Sequence, residues 1–250
     1  SSSYVGVLNR AKDINGLYQD DNENGYTYRN YEDNLLIGGL DHRTGRLDDK
    51  DKYSTLSERA GDKKLAGDMT HYWSANDCIT FDALPFIGYY SKCSKDIFII
   101  SGFNKWGMAN AMVGASLLCD MIYCNHNKYE ALFSPQRRLP FNCDFLRNAL
   151  CVVKNLVIKP LLLPCRSYES LNLGEGDIVM YHGRKRAVYK DENGELHINK
   201  PLCAHLKCQL QFNAVDRTWD CPCHGSRFDI DGNVMTAPSV KNLEKIDSKK

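Results

Sequence analysis

Two short stretches near the C-terminal end, "CAHLKC" at 203–208 and "CPCHGS" at 221–226, each carry two cysteines and one histidine. Cys203 and His205 make a Cys-x-His pair, and Cys221 and His224 make a Cys-x-x-His pair. Spacing this close lets two side chains of one tight loop converge on a metal. Thiolate and imidazole in one donor set suit zinc or iron–sulfur chemistry, whereas magnesium and calcium take oxygen ligands. Two closures of the set are open. Two Cys and two His can complete a tetrahedral structural zinc site. They can also hold a [2Fe–2S] cluster, with both cysteines on one iron and both histidines on the other.

The two remaining cysteines favour the second closure. If the loops face one another across a cluster, Cys208 and Cys223 can meet in a disulfide that pins the loops together. A zinc finger needs no such staple. Gly225 and Ser226 directly follow the last candidate ligand. Glycine allows a close backbone turn, and the Ser226 hydroxyl can donate to a bridging sulfide, which raises the reduction potential. A cluster held this way also has a charge consequence. Two ferric ions, two sulfides and two thiolates sum to zero, so such a cluster accepts an electron more readily than a four-thiolate one. Histidines near the surface give the electron a route, and their protonation can couple to it.

The run "CAHLKC…CPCHGSRFD" resembles the Rieske iron–sulfur family, in the version with a loop-to-loop disulfide found in cytochrome bc-type complexes. The resemblance implies Cys203 and Cys221 on the inner iron, His205 and His224 on the exposed iron, and a Cys208–Cys223 disulfide. It also matches "TAPS" at 236–239 to the proline-containing loop that covers the cluster. Phe228 is a departure, because the respiratory proteins have Tyr at this position. One hydrogen bond to a cysteine sulfur is then absent, and the expected potential lies below the top of the Rieske range of roughly −150 to +300 mV.

The elements that must position these loops are short strands at close spacing. "GDIVMYHG", "KRAVYKDENGELHINK", "QFNAVDRTWD" and "SRFDIDGNV" predict a small antiparallel β-domain, with "DENGE" and "DIDGN" as hairpin turns. It follows a helix over "NCDFLRNALCVVKNLV" and a linker, "KPLLLPC", with two prolines. At the other end, "YVGVLNRA", "GYTYRNYED" and "NLLIGGL" read as strands, with "DDNENG" as turn material. "DHRTGRLDDKDK" reads as a loop, "SERAGDKKLAGDM" as a helix, and "HYWSANDCITFDALPFIGYYS" as further strands. "DIFIISGF" is a nearly continuous apolar run, the pattern of a strand buried on both faces. It ends in the glycine turn "GFNKWG", and a helix over "MANAMVGASLLCDMIY" follows. No segment supplies the G-x-G-x-x-G phosphate fingerprint.

"LLIGGLDHRTG", "YWSANDCITFDALPFIGYYS" and "IFIISGFNKWGMANAMVGASLLCDMI" look like the C-terminal half of the flavin-dependent D-amino-acid and glycine oxidase superfamily. They are closest to bacterial members with a C-terminal Rieske domain. The resemblance implies that the glycine turn approaches the flavin ring, with the positive end of the following helix aimed at a flavin carbonyl. By position it implicates Gly102, Phe103, Asn104, Lys105, Trp106, Gly107 and Met108. For Trp106 and Met108 the alternative is plain core packing. Arg29 is either a carboxylate clamp or a surface salt bridge, and His71 and Asp77 are read as structural polar residues. No catalytic residue is assigned.

The expected fold class is therefore α+β. A partial flavoprotein, an antiparallel substrate sheet plus the last strand–turn–helix of the FAD fold, covers 1–138. A helix and linker cover 139–165, and a small all-β Rieske domain covers 166–250. The chain opens on "SSSYVGV" and reads as a cut inside a longer protein. FAD would bind only if a missing N-terminal, dinucleotide-binding half is present.

The bulk numbers set outer limits. The chain has 250 residues, a net charge of +1 and a hydrophobic share of 43%. Near-neutrality gives no electrostatic reason to expect nucleic acid or an anionic membrane, and the apolar runs are too short to span a bilayer. Eleven cysteines, seven of them scattered through apolar stretches, suggest reduced thiols in the cytoplasm, read as small buried hydrophobes. The expected function is electron transfer through a [2Fe–2S] cluster, coupled to an FAD-dependent amine or amino-acid oxidoreductase, with a redox partner yet to be identified. A stand-alone Rieske electron-transfer module and a zinc-stabilised binding domain are the rival readings.

Overall fold

The computed structural model describes the chain except residues 22–24, 47–50, 64, 66, 142 and 247–250. Parts of "DDNENG", "DHRTGRLDDKDK" and "SERAGDKKLAGDM", and Asn142 at the start of the second expected helix, lie outside the described residues. Two compact units form, one from 1–76 with 150–250 and one from 77–149. Every strand pairing in both is antiparallel.

The first unit opens with β1 (Ser2–Leu8), β2 (Leu17–Gln19), β3 (Thr27–Tyr31) and β4 (Asn34–His42), then α1 (Lys52–Asp62) and β5 (Met69–Asn76). The sheet order is β2-β3-β4-β1-β5. Burial in β1 alternates strictly, as it must when successive side chains point to opposite faces of a pleated strand. Tyr4, Leu8, Leu35 and Ile37 make the buried face, and Leu56 and Ala60 of α1 pack on it. Helix α1 begins at Lys52, inside the stretch read as loop. Asp51 caps it, its carboxylate accepting from the N–H groups of Tyr53 and Ser54, the ordinary role of an N-cap acid.

The second unit holds the hairpin β6 (Phe86–Ser91) and β7 (Ser94–Ser101), then α2 (Gly107–Ile122), the single-turn α3 (Glu130–Phe133) and most of α4 (Cys143–Val153). Among the described residues strand β7 pairs with β6 alone, and the apolar run "DIFIIS" is not buried on both faces, Phe98, Ile99 and Ile100 being half-buried. Ile97 is 54% exposed. Arg137 clamps this unit. Its guanidinium reaches the Asp82 carboxylate at 2.6 and 2.9 Å and the carbonyls of Leu84, Pro85, Phe133 and Ser134.

After α4 the helical path continues through one π turn at 154–158 into α5 (Lys159–Leu161). The remainder of the first unit is all β. Strands β8 (Glu175–Tyr181), β9 (Arg184–Lys190) and β10 (Leu196–Asn199) form one sheet in the order β10-β9-β8. Strands β11 (Gln211–Asn213), β12 (Thr218–Asp220), β13 (Arg227–Phe228) and β14 (Val234–Thr236) form the other in sequence order. The turns at "DENGE" and "DIDGN" join β9 to β10 and β13 to β14, as expected from their glycines. The core here is unusual in its sulfur. Cys203, Cys208, Cys221 and Cys223 are buried with Tyr189, Leu210, Trp219 and Phe228. Among the described residues no helix is long and apolar enough to cross a membrane.

Candidate metal centre

The two cysteine loops are built on one plan. In the first, the Cys203 N–H donates to the Cys208 carbonyl at 2.8 Å and the Lys207 N–H to the Cys203 carbonyl at 3.0 Å. In the second, the Cys221 N–H donates to the Ser226 carbonyl at 2.8 Å and the Gly225 N–H to the Cys221 carbonyl at 3.0 Å. The residue before each closing carbonyl is left-handed, Lys207 at φ 60° in one loop and Gly225 at φ 82° in the other. Glycine adopts that conformation without steric cost, and lysine does so with a small penalty.

This geometry turns backbone N–H groups onto sulfur. The N–H groups of His205 and Leu206 reach the Cys203 sulfur, and those of Cys223 and His224 reach the Cys221 sulfur. Such donors stabilise thiolate. The Cys221 thiol donates to Cys203, which brings the Cys203 pKa down to about 6, helped by the His205, Ser226 and Leu206 donors. The same shared proton, with burial, pushes Cys221 up. Ser226 is fully buried. Its hydroxyl donates to the Cys203 sulfur and accepts from the Ser239 N–H at 3.0 Å. Ser239 closes "TAPS", whose Ala237–Pro238 bond is cis. The Ser226 hydroxyl thus lies against a cysteine sulfur at the inner end of the site.

Cys208 and Cys223 are joined in a disulfide between the loops. The sulfurs of Cys208, Cys221 and Cys223 lie within 4.8 Å of one another. The disulfide occupies two of these, which leaves Cys221, with Cys203, as the free buried thiols. His205 and His224 are exposed, and their ring centroids stand 5.3 Å apart at 83°. Burial, then the charges of His205 and Arg43, lowers the His224 pKa, which favours the neutral imidazole a metal requires. Phe228 is wholly buried opposite Trp219, with no hydroxyl to offer a sulfur. The arrangement therefore sorts its donors by depth, thiols inside and imidazoles at the surface.

Sequence reasoning missed the polar groups around these loops. Arg227, next to Ser226, is buried in an ionic cluster, pairing with Asp216 at 2.5 Å and Asp220 at 3.1 Å. It also donates to the Ser74 hydroxyl at 2.7 Å, while Tyr53 and Ser74 each donate to Asp216 at 2.7 Å. Arg43 and Asn76 donate to carbonyls of the second loop. Apart from the nearby Asp216 and Asp220 pairs of Arg227, these contacts join residues distant in sequence and have no local signature.

Comparison with known proteins fits the sulfur-centred loops. Residues 164–247 match the family model "Rieske [2Fe-2S] domain". The C-terminal segment is a Rieske domain. Residues 2–121 match "FAD dependent oxidoreductase", so a flavoprotein segment precedes the Rieske domain in this chain. A Rieske 2Fe-2S iron-sulfur protein of Bacillus subtilis (strain 168), YhfW, is 36% identical over 232 residues, 89% of this chain and 44% of that protein. The mitochondrial cytochrome b-c1 complex subunit Rieske-3 of Nicotiana tabacum is 34% identical over 88 residues, 34% of this chain and 33% of its own length. Cytochrome b6-f complex iron-sulfur subunit 2 of Trichormus variabilis is 43% identical over 44 residues, 18% of this chain and 25% of its own length. The chain spans less than half the length of each of these relatives. The Rieske match supports a [2Fe–2S] cluster, and the oxidoreductase match supports FAD where the dinucleotide-binding half is also present. Two free buried thiols ringed by N–H donors, beside two exposed imidazoles, fit the first.

The positions expected at the flavin lie together at the start of α2. Gly102 turns at φ 71°, and Asn104 and Lys105 follow at φ 51° and 70°. The Asn104 amide holds the turn, bonding Gly102 and Thr80, and the Phe103 carbonyl accepts from Trp106 and Asn110. Gly107 begins α2. Trp106 and Met108 are 60% and 89% exposed, so core packing does not account for them. Arg29 and His71 are exposed on β3 and β5. The scattered cysteines depart from expectation. Cys78, Cys93, Cys119, Cys124, Cys143 and Cys165 are exposed, and Cys151 is half-buried. Cys119, for example, faces away from the core that its neighbours Leu117 and Met121 join.

Proposed function

We propose that Cys203, His205, Cys221 and His224 hold the [2Fe–2S] cluster, and that the whole protein couples it to FAD-dependent oxidation of an amine or amino acid. The depth-sorted donor set carries this reading: thiols buried against backbone N–H groups, imidazoles exposed and 5.3 Å apart. When bound, the flavin takes two electrons and the cluster one, so the pair converts a two-electron oxidation into single-electron steps. The chain's own part is positional. Its loops desolvate the thiols, the disulfide ties one loop to the other, and the histidines present the electron's exit to a redox partner.

The turn from Gly102 to Met108, with Lys105, Trp106 and Met108 exposed, supports a flavin-facing role for those residues, together with a dinucleotide-binding half outside this chain. The first turn of α2 receives no side-chain cap from Trp106, which leaves its N–H groups available to a ligand oxygen. Exposed thiols at six positions support a reducing, cytoplasmic setting.

The test is anaerobic mixing of the full-length protein with a panel of amines and D- and L-amino acids, followed in the visible range. The reading expects flavin bleaching by at least one member, then one-electron reduction of the cluster. A cluster that dithionite reduces but no panel member does would remove the amine or amino-acid assignment.

A further inference from the structure

The second cluster loop has an outer wall, and the flavoprotein segment builds it. Arg43, just past β4, donates from Nε at 3.2 Å and from a terminal guanidinium nitrogen at 3.1 Å to one acceptor, the Pro222 carbonyl. Asn76, at the end of β5, donates to the Gly225 carbonyl at 3.0 Å. The Asn76 side chain is itself fixed, because its oxygen accepts from Ser2 at 2.8 Å and Ser2 meets Thr44 at 2.7 Å. Between these holds, Gly45 lies so close that a Cβ would stand 2.6 Å from the Pro222 nitrogen. No larger residue fits there.

The Pro222 carbonyl and the Cys223 N–H belong to one peptide unit, and that N–H points at the Cys221 sulfur. A cation bonded to the oxygen of a peptide draws electron density toward it and makes the N–H at the other end a stronger donor. The chain of contacts runs from the Arg43 guanidinium through one peptide to sulfur. We propose that Arg43 is a positioning and tuning residue for the cluster. From the flavoprotein segment, it orients the Cys221–Gly225 loop and raises the reduction potential by strengthening the Cys223 N–H bond to sulfur and by its own positive charge. This rests on the cluster assignment above and extends it: the segment that meets the flavin would also set the potential of the acceptor.

The sign follows from electrostatics. Reduction adds one negative charge to the cluster, and a nearby cation and a stronger N–H donor both stabilise that state. Asn76 supplies no charge and bonds a different peptide, so its part is positional.

The experiment is potentiometric titration with electron paramagnetic resonance, alongside iron and sulfide determination, on the native chain and on Arg43→Gln, Arg43→Lys and Arg166→Gln. The last removes the same charge from an exposed pair with Glu175. Arg43→Gln is expected to lower the midpoint potential and alter the g-values, Arg43→Lys to recover most of the potential, and Arg166→Gln to match native. A folded Arg43→Gln chain that loses iron while Arg43→Lys keeps it would also support the role, through positioning. A native potential in cluster-loaded Arg43→Gln would overturn this inference and leave the cluster assignment standing. A native chain with no iron would overturn both.

Discussion

The imidazole rings of His205 and His224 stand nearly perpendicular, 83° apart with centroids at 5.3 Å, at the exposed end of a site whose thiols are buried. Each comes from a different loop of the same hydrogen-bonded plan. Since both rings are exposed, replacing either by Ala removes a donor without opening a core cavity. His205→Ala and His224→Ala are expected to fold as native by circular dichroism and to be isolated without the two-iron cluster. Native iron content in either variant would remove that residue from the ligand set.

Ser226 joins two loops at one buried oxygen, donating to the Cys203 sulfur and accepting from the Ser239 N–H. Ser226→Ala strands a buried amide, at a cost of about 1–3 kcal/mol, read as a lower Tm. It also withdraws a donor from sulfur, so the midpoint potential falls. A variant with native potential and native Tm would contradict both roles.

The Cys208–Cys223 disulfide closes a loop with a sequence separation of 15, for which chain entropy gives roughly 3 kcal/mol. Cys208→Ala with Cys223→Ala is expected to lower stability by about that amount in denaturant titration and to shed iron faster on dilution. Unchanged iron retention would show that the loops hold the cluster without the staple.

Acid should act on the second unit through one pair. Arg137 holds the Asp82 carboxyl down from 3.8 to about 2, with both side chains largely buried. The folded chain binds this proton more weakly than the unfolded chain does. The pair's contribution is therefore complete above pH ~4 and fades as the pH falls toward about 2. Arg137→Met should cost roughly 3 kcal/mol at neutral pH, the lower end for breaking a buried pair. It should also flatten the loss of hydrogen-exchange protection in 77–149 between pH 4 and 2. An equally steep acid loss in the variant would assign it to other carboxylates.

The donor types, their spacing and the loop disulfide were legible because all lie within two short stretches whose chemistry is local. The strand and turn pattern of the C-terminal segment was legible for the same reason, with glycines at Gly194 and Gly232 marking its hairpins. The start of α1 was not, since its cap, Asp51, sits in a run of charged residues that reads as loop. The contacts of Arg43, Asn76 and the Arg227 cluster span up to 179 residues of chain, and a sequence gives no register between such distant segments. The "DIFIIS" run misled for a physical reason. Apolar content reports a tendency to be buried, but which faces are covered depends on the neighbours a strand finds.

The most direct test is the visible and paramagnetic spectrum of the anaerobically purified chain, with iron, sulfide and zinc measured on the same sample. The account predicts a red-brown protein with two irons and two labile sulfides per chain. One-electron reduction should bleach it and give a paramagnetic state coupled to imidazole nitrogens from both histidines. A colourless chain carrying one zinc, or a coloured one with no nitrogen coupling, would contradict it.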